Sequence, residues 1–333
     1  MSLPLDLSYA PMEAESAPEL PRGAAWQYEP KWDGFRALAF RDGDSVHVQS
    51  KAGKPLARYF PDVVESLETL RPSRFVLDGE IVIPVDGRLS FDELLLRVHP
   101  AASRVRTLVA AHRARMVVFD LLVDERGRSL VHLPLEQRRA RLARFAGRFF
   151  PDDGSIVLSR ATRQLRTARS WLASGAGGDL DGVVAKRLDL PYRTGERDGM
   201  LKIKRQRTAD CVVGGFRYAS TGSGIGSLLL GLYDDGGRLD HVGFCSSLDA
   251  AAREGLRDKL ERLRQAPGFT GRAPGGPSRW STERSARWEP VRPTLVVEVG
   301  YDHVSNRRFR HGTRFLRWRP DKAPRQCTME QIA

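Results

Sequence analysis

Of the 54 Lys and Arg residues in this 333-residue chain, only eight are lysines: Lys31, Lys51, Lys54, Lys186, Lys202, Lys204, Lys259 and Lys322. Where the chain needs positive charge alone it uses arginine, so each lysine is a candidate for chemistry that a guanidinium cannot do. A guanidinium keeps its proton in proteins. An amine loses it when desolvation or neighbouring cations lower its pKa, and then becomes a nucleophile. Lys31 stands in "YEPKWDGFRA", two residues before the Asp33-Gly34 turn, with Glu29 and Arg36 on either side. In "LKIK" (201–204), Lys202 and Lys204 are two apart, so on a strand both amines face one pocket. There they suit two tasks, lowering the pKa of a third amine or holding phosphates. Taken alone, Lys31 reads more readily as a surface charge at a hairpin.

The elements that must position these residues are mostly strands. "ALAFRDGDSVHVQS" alternates apolar positions on both sides of Asp42-Gly43, a hairpin within residues 26–50. "PDVVESLETL" reads as a short helix with Val64, Leu67 and Leu70 on one face. "FVLDGEIVIPVDGRLS" reads as two strand pieces with Asp-Gly turns. Residues 91–115 read as helical and basic, "MVVFDLLV" as a buried strand, 134–149 as a basic helix, "SIVLS" as a strand, 166–174 as a helix and "DGVVAKRL" as a strand. Hairpin turns and short helices exclude a parallel doubly wound sheet. After about residue 208 come strands in "DCVVGGFRY", "GSLLLGLYD" and "LDHVGFCSS". A helix over 249–265 (Ala252, Leu256, Leu260, Leu263) follows, then a Pro/Gly-rich loop over 266–279 and strands near 294–301 and 314–318. That order fits an OB-type barrel. The expected fold class is α+β, with antiparallel sheets and helices in a domain of residues 1–208 and an OB-fold domain of residues 209–333.

The bulk composition narrows the function classes. Net charge is +13, divided as +7 up to Thr208 and +6 beyond it, as expected if both parts touch one polyanion such as nucleic acid. No run of 18 apolar residues and no basic-then-apolar leader is present, so the expectation is a cytoplasmic protein. Cys211, Cys245 and Cys327 lie far apart, which excludes a disulfide framework and a four-cysteine zinc site.

"EPKWDGFRA" resembles the adenylation signature K-x-D-G-x-R of the covalent nucleotidyltransferases: ATP-dependent DNA ligases, RNA ligases and mRNA capping enzymes. "SKAG" (50–53), "LDGEIV" (77–82), "VVFDLL" (117–122), "DGVVAK" (181–186), "LKIK" (201–204) and "FLRWRPDK" (315–322) resemble the later elements, in order. Six of the eight lysines fall inside these pieces. The resemblance spans residues 26–322 and is nearest to the small two-domain ATP-dependent DNA ligases of actinobacteria, the ligase C type.

This resemblance implies that Lys31 attacks the α-phosphate of ATP to give lysyl-AMP, that AMP passes to the 5′-phosphate at a nick, and that the 3′-hydroxyl displaces it. It places Glu29 near the adenine edge, Phe119 against the adenine ring, Glu80 on a ribose hydroxyl, and Arg36 and Lys51 on ribose or phosphate. Lys186, Lys202 and Lys204 hold the α-phosphate. Asp181, where the family more often has Glu, assists a divalent metal or the lysine, with Mg²⁺ or Mn²⁺ bound mainly through phosphates. Arg197, in "YRTGER", is a further phosphate candidate. Arg319, Asp321 and Lys322 orient the leaving pyrophosphate from a mobile second domain. The glycines of "STGSGIGS" are a lesser candidate for cradling phosphate. Met200 stands where many ligases have Trp.

The resemblance also implies nicked double-stranded DNA as the partner, in repair, replication or recombination, and the protein is expected to act as a monomer, associated with the nucleoid while acting. Thirty residues before Lys31 leave no room for a separate DNA-binding domain, so a steeply salt-sensitive grip is expected. NAD⁺ use is not expected, because the NAD⁺-dependent ligases need an extra N-terminal domain and a four-cysteine zinc module. An RNA ligase, a GTP-using capping enzyme and a non-enzymatic OB-type nucleic-acid binder remain open from sequence.

Overall fold

The computed structural model of the chain describes residues 2–99, 101–174, 180–205, 207–219, 224–248, 253, 255–275 and 287–332. The chain divides into two compact units, Met1–Arg205 and Gln206–Ala333.

The first unit is built on two sheets. One contains β1 (Glu15–Ser16), β2 (Trp26–Trp32), β10 (Leu180–Arg187) and β11 (Met200–Lys204), in the order β1-β11-β10-β2. The other contains β3 (Phe35–Asp42), β4 (Ser45–Ser50), β5 (Arg74–Val82), β8 (Arg115–Val123) and β9 (Ile156–Leu158), in the order β4-β3-β5-β8-β9. β2 and β3 are consecutive, so the Asp33-Gly34 turn carries the chain from one sheet to the other. A Cβ at Gly34 would lie 2.2 Å from the Ile81 carbonyl oxygen; only glycine lets the turn press against β5. The short strands β6 (Pro84–Val85) and β7 (Arg88–Leu89) form a separate hairpin.

Helices cover the second sheet. α1 (Pro61–Glu68) starts with proline at its first position and buries Val63 and Leu67, one turn apart. The expected face carried Val64 instead. Val64 is only half-buried, and Leu70 is buried just beyond the helix end. The basic stretch at 91–115 is two helices, α2 (Phe91–Arg97) and α3 (Ala102–Ala111), and its last residue begins β8. α4 (Leu135–Phe149) buries Leu135, Arg138, Leu142, Phe145 and Ala146. Buried Arg138 is matched by Asp120 of β8, which accepts from its Nε at 3.0 Å and its Nη2 at 2.9 Å. α5 (Leu165–Ser174) packs on the first sheet. Asp78-Gly79, expected as a turn, lies in the middle of β5 with both residues buried. A Cβ on Gly79 would come within 2.7 Å of the Val117 oxygen, so this glycine serves close strand approach, not chain reversal.

The second unit closes a barrel: β12 (Arg207–Tyr218) pairs with β13 (Ile225–Tyr233), β13 with β14 (Leu239–Ser247), β14 with β19 (Thr313–Trp318), β19 with β16 (Val296–Tyr301), and β16 with β12. β12 bends through register shifts after Val213 and Arg217, as long barrel strands do. Short strands β15 (Glu289–Pro290), β17 (Val304–Ser305) and β18 (Arg308–Phe309) lie outside this ring. The expected 249–265 helix is described as α6 (Leu256–Arg262), which buries Leu256 and Leu260; Ala252 lies outside the described residues. So do residues 220–223 of "STGSGIGS" and 276–279 of the Pro/Gly-rich loop. No helix among the described residues is long and apolar enough to cross a membrane.

Candidate active site

Three adjacent strands fix the site. Residues directly opposite in antiparallel neighbours share a face, so the register of β2, β10 and β11 makes three rows. The first is Lys31–Gly182–Lys204, the second Glu29–Val184–Lys202 and the third Gln27–Lys186–Met200. Lys202 and Lys204 thus face the same side as Lys31.

The first row has no side chain at its centre. Gly182 has φ +147°, and a Cβ there would fall 2.1 Å from the Ile203 oxygen. The β10–β2 register shifts between Leu180 and Gly182, and Asp181, the residue in this irregularity, supplies the missing polar group. Its Oδ2 is in direct contact with Lys31 Nζ and 3.4 Å from Lys204 Nζ. Two amines therefore converge on one largely buried carboxylate.

The third row lies at the other end. Lys186 is four residues along β10 from Gly182, about 13 Å at the rise of a strand. Its Nζ is 2.8 Å from Glu29 Oε2 and 4.5 Å from the centroid of the Phe119 ring. Gln27 Nε2 donates to Glu29 Oε1 at 2.8 Å. Of the amines grouped by resemblance, Lys204 is placed with Lys31, and Lys186 with the carboxylate and the aromatic ring. Glu29 is only 2% exposed and is held on both oxygens, so it offers its remaining lone pairs as an acceptor.

The second sheet forms the opposite wall. Arg36 and Glu80 are paired across β3 and β5. Phe119 is the one position of β8 between Met116 and Val123 that is not buried. The Arg36 guanidinium lies 5.0 Å from its centroid. Asp78 holds Arg36 with two bonds, Nε to Oδ1 at 2.9 Å and Nη2 to Oδ2 at 2.7 Å, and Tyr192 donates to Asp78 Oδ2 at 2.6 Å. Burial pushes the Glu80 carboxyl up to about 7, against the lowering effect of Lys31 and Arg36. Desolvation, then Lys31 and Lys204, push the Lys202 amine down.

Between the walls lies a cavity of about 230 Å³, lined by Glu29, Lys31, Arg36, Lys51, Glu80, Phe119, Lys186 and Lys202 among others. Eight expected residues from six sequence pieces therefore line one space. Glu13 also lines it, and its carboxylate bridges Lys51 Nζ at 2.9 Å and Arg197 Nε at 3.1 Å. Sequence reading missed Glu13, Gln27, Asp78 and Tyr192. Asp78 stood inside a quoted motif and Gln27 shares a strand face with Glu29, two signals that were available. Tyr192 opens the quoted "YRTGER" but nothing there points to Asp78, and Glu13 offered no signal.

Arg319, Asp321 and Lys322 form their own cluster in the second unit. Arg319 donates to Asp321 and to Asp210, with Nη1 2.8 Å from Asp210 Oδ1, and Lys322 Nζ is 3.6 Å from Asp210 Oδ2. The bonds from Arg319 hold the Asp321 carboxyl down at about 2.

The chain is similar to known proteins along nearly its whole length. The family model for the ATP dependent DNA ligase domain matches residues 11–204, and that for the ATP dependent DNA ligase C terminal region matches residues 221–322. DNA ligase C1 of Mycolicibacterium smegmatis is 44% identical over 342 residues, covering 100% of this chain and 96% of the relative. DNA ligase C of Mycobacterium tuberculosis is 42% identical over 350 residues, with the same coverage. Among solved structures, a mycobacterial DNA ligase D complexed with ATP and MES matches with a TM-score of 0.50 and 26% identity, over 97% of this chain and 98% of that one. The chain belongs to the ATP-dependent DNA ligase family.

Proposed function

We propose that the protein seals nicks in double-stranded DNA, with Lys31 as the nucleophile that takes AMP from ATP. The observation that carries this is the first row: an amine at position 31 and a second at 204 share the Asp181 carboxylate beside a cavity with a carboxylate and an aromatic ring at its far end. The adenine lies against Phe119 with its amino edge toward Glu29, whose two oxygens are held in place by Gln27 and Lys186. Glu80 meets the ribose hydroxyls, and Arg36, held by Asp78, reaches the ribose or α-phosphate.

Lys31 Nζ bonds to the α-phosphorus, the bond from that phosphorus to the bridging oxygen breaks, and pyrophosphate departs. The amine proton passes to Asp181 Oδ2, the oxygen it already touches. Lys202 and Lys204 offset the negative charge growing on the phosphoryl oxygens. A 5′-phosphate oxygen then attacks the same phosphorus and breaks the P–N bond, and Asp181 returns the proton to the departing amine. Last, the 3′-hydroxyl oxygen attacks the 5′-phosphorus, AMP leaves, and the hydroxyl proton is released to solvent. Among the described residues no group of three His, Cys, Asp or Glu side chains stands ready for a metal. A Mg²⁺ or Mn²⁺ ion would be bound chiefly by phosphate and water, with the other oxygen of Asp181 as its protein ligand, and would neutralise phosphate charge.

Residues 1–208 form the adenylating domain and residues 209–333 the OB-fold domain, whose Arg319, Asp321 and Lys322 steer pyrophosphate and then withdraw. The protein works as a monomer in the cytoplasm, at the nucleoid when engaged. Incubation with labelled ATP or GTP tests this reading. An AMP adduct lost in Lys31→Ala and discharged onto a nicked duplex supports it. A GMP adduct points to capping chemistry, discharge onto an RNA nick alone to an RNA ligase, and no adduct to a plain nucleic-acid binder.

A further inference from the structure

We propose that a second groove, next to the nucleotide cavity, seats the strand that ends in the 3′-hydroxyl; this rests on the ligase reading above. The groove measures about 390 Å³, and its walls include Trp32, Pro84, Leu89, Arg115 and Arg160. Trp32 follows Lys31 directly and lines both spaces, so a chain lying in the groove ends beside the adenylated amine. The indole is fixed, with Nε1 donating to Ser159 Oγ at 3.0 Å. Pro84 and Leu89 are paired across the β6–β7 hairpin, which makes the apolar side. Arg115 opens β8 and Arg160 follows β9, its parallel neighbour; both are exposed. Asp86, at the hairpin turn, is the carboxylate in the lining, against two guanidiniums.

A fixed aromatic face, an apolar hairpin and two exposed guanidiniums match a single strand: phosphodiesters on the arginines and a sugar or base on the indole. Position selects which strand. Lys202 and Lys204, on β11, face the same side of the four-stranded sheet as Lys31, and a doubly charged 5′-phosphate belongs with those amines. Apart from Trp32, the groove is carried by β8, the segment after β9 and the hairpin, which lie outside that sheet. The strand with the uncharged end belongs there, bringing its hydroxyl past Trp32 and its charge onto Arg115 and Arg160.

The test uses the full chain and the double variant Arg115→Ala/Arg160→Ala. Binding is measured to a nicked duplex and to the same duplex lacking the 3′-hydroxyl strand. We expect binding to the nick to weaken roughly tenfold or more, and its log–log salt dependence to become shallower by about two. Binding to the shortened duplex should stay within about twofold, and formation of lysyl-AMP from ATP should be unchanged. Equal weakening on both duplexes would assign the arginines to the template or the 5′-phosphate strand and overturn the proposal, as would no weakening on either. Failure of the wild type to form lysyl-AMP would instead overturn the ligase reading, because the adduct is read without DNA.

Discussion

Glu80 faces the cavity with its carboxyl pushed up to about 7 by burial. Its ordinary value is 4.5, so between these two values the folded chain binds more protons than the unfolded one. Stability contributed by neutral Glu80 is present at pH 4.5 and below, and is lost as pH rises to 7. Glu80→Gln should therefore raise the melting temperature at pH 8 by a few degrees and leave it nearly unchanged at pH 5; a shift independent of pH would contradict the assigned burial. Asp78→Asn should leave Arg36 without its two-bond anchor and raise KM for ATP about tenfold, the scale of losing one charge-assisted hydrogen bond. An unchanged KM for ATP would remove Arg36 from the nucleotide site. Lysine rarity marked Lys31, Lys202 and Lys204 as candidates, and the strand period of two put the β11 amines on one face; Glu29 was singled out only by the resemblance to the adenylation signature. Tyr192 was not: its bond to Asp78 joins residues 114 apart, and nothing local announces it.

Two glycines set the geometry of the elements that hold Lys31. Gly34 lets the turn after Lys31 meet β5, and Gly182 lets β10 meet β11 with no side chain between the two amines. Gly182→Ala must push Ile203 or Lys204 aside, at a cost of about 1–3 kcal/mol, and should cut lysyl-AMP formation at least tenfold even where the variant folds. A comparison is Gly127→Ala, which keeps a positive φ of 76° at a turn remote from the cavity. It should lose stability without a comparable loss of adduct, and circular dichroism melts with adduct yield separate the two effects. Strand existence was readable from alternation, but the role of Asp-Gly pairs was not. Asp33-Gly34 and Asp42-Gly43 do turn the chain, whereas Asp78-Gly79 sits mid-strand. The dipeptide marks both a turn and a close strand approach, and only the neighbouring strand decides between them.

At the scale of the molecule, the net charge of +13 is divided between both parts of the chain. Binding to nicked DNA should accordingly fall steeply with salt, in a linear log–log plot. The second unit holds Arg319 and Lys322 on Asp210, with Asp321 on Arg319, as a preformed charged cluster. Arg319→Ala/Lys322→Ala should depress formation of lysyl-AMP by about 100-fold, the scale of lost electrostatic stabilisation of a leaving group, yet leave sealing of a pre-adenylated nick largely intact. Equal loss in both steps would show that the cluster serves the barrel's structure or its grip on DNA, not pyrophosphate departure. The barrel was recognisable from the order of its strands and one helix; the cluster's Asp210 anchor was not, because it lies 109 residues from Arg319.

The most direct measurement is intact-mass and peptide-mapping spectrometry of the full chain after exposure to ATP and Mg²⁺. One adenylate on Lys31, absent in Lys31→Ala and discharged by pyrophosphate or nicked DNA, is the expected result. An unmodified chain, or an adenylate carried by any other residue, would contradict the assignment of Lys31 as the nucleophile.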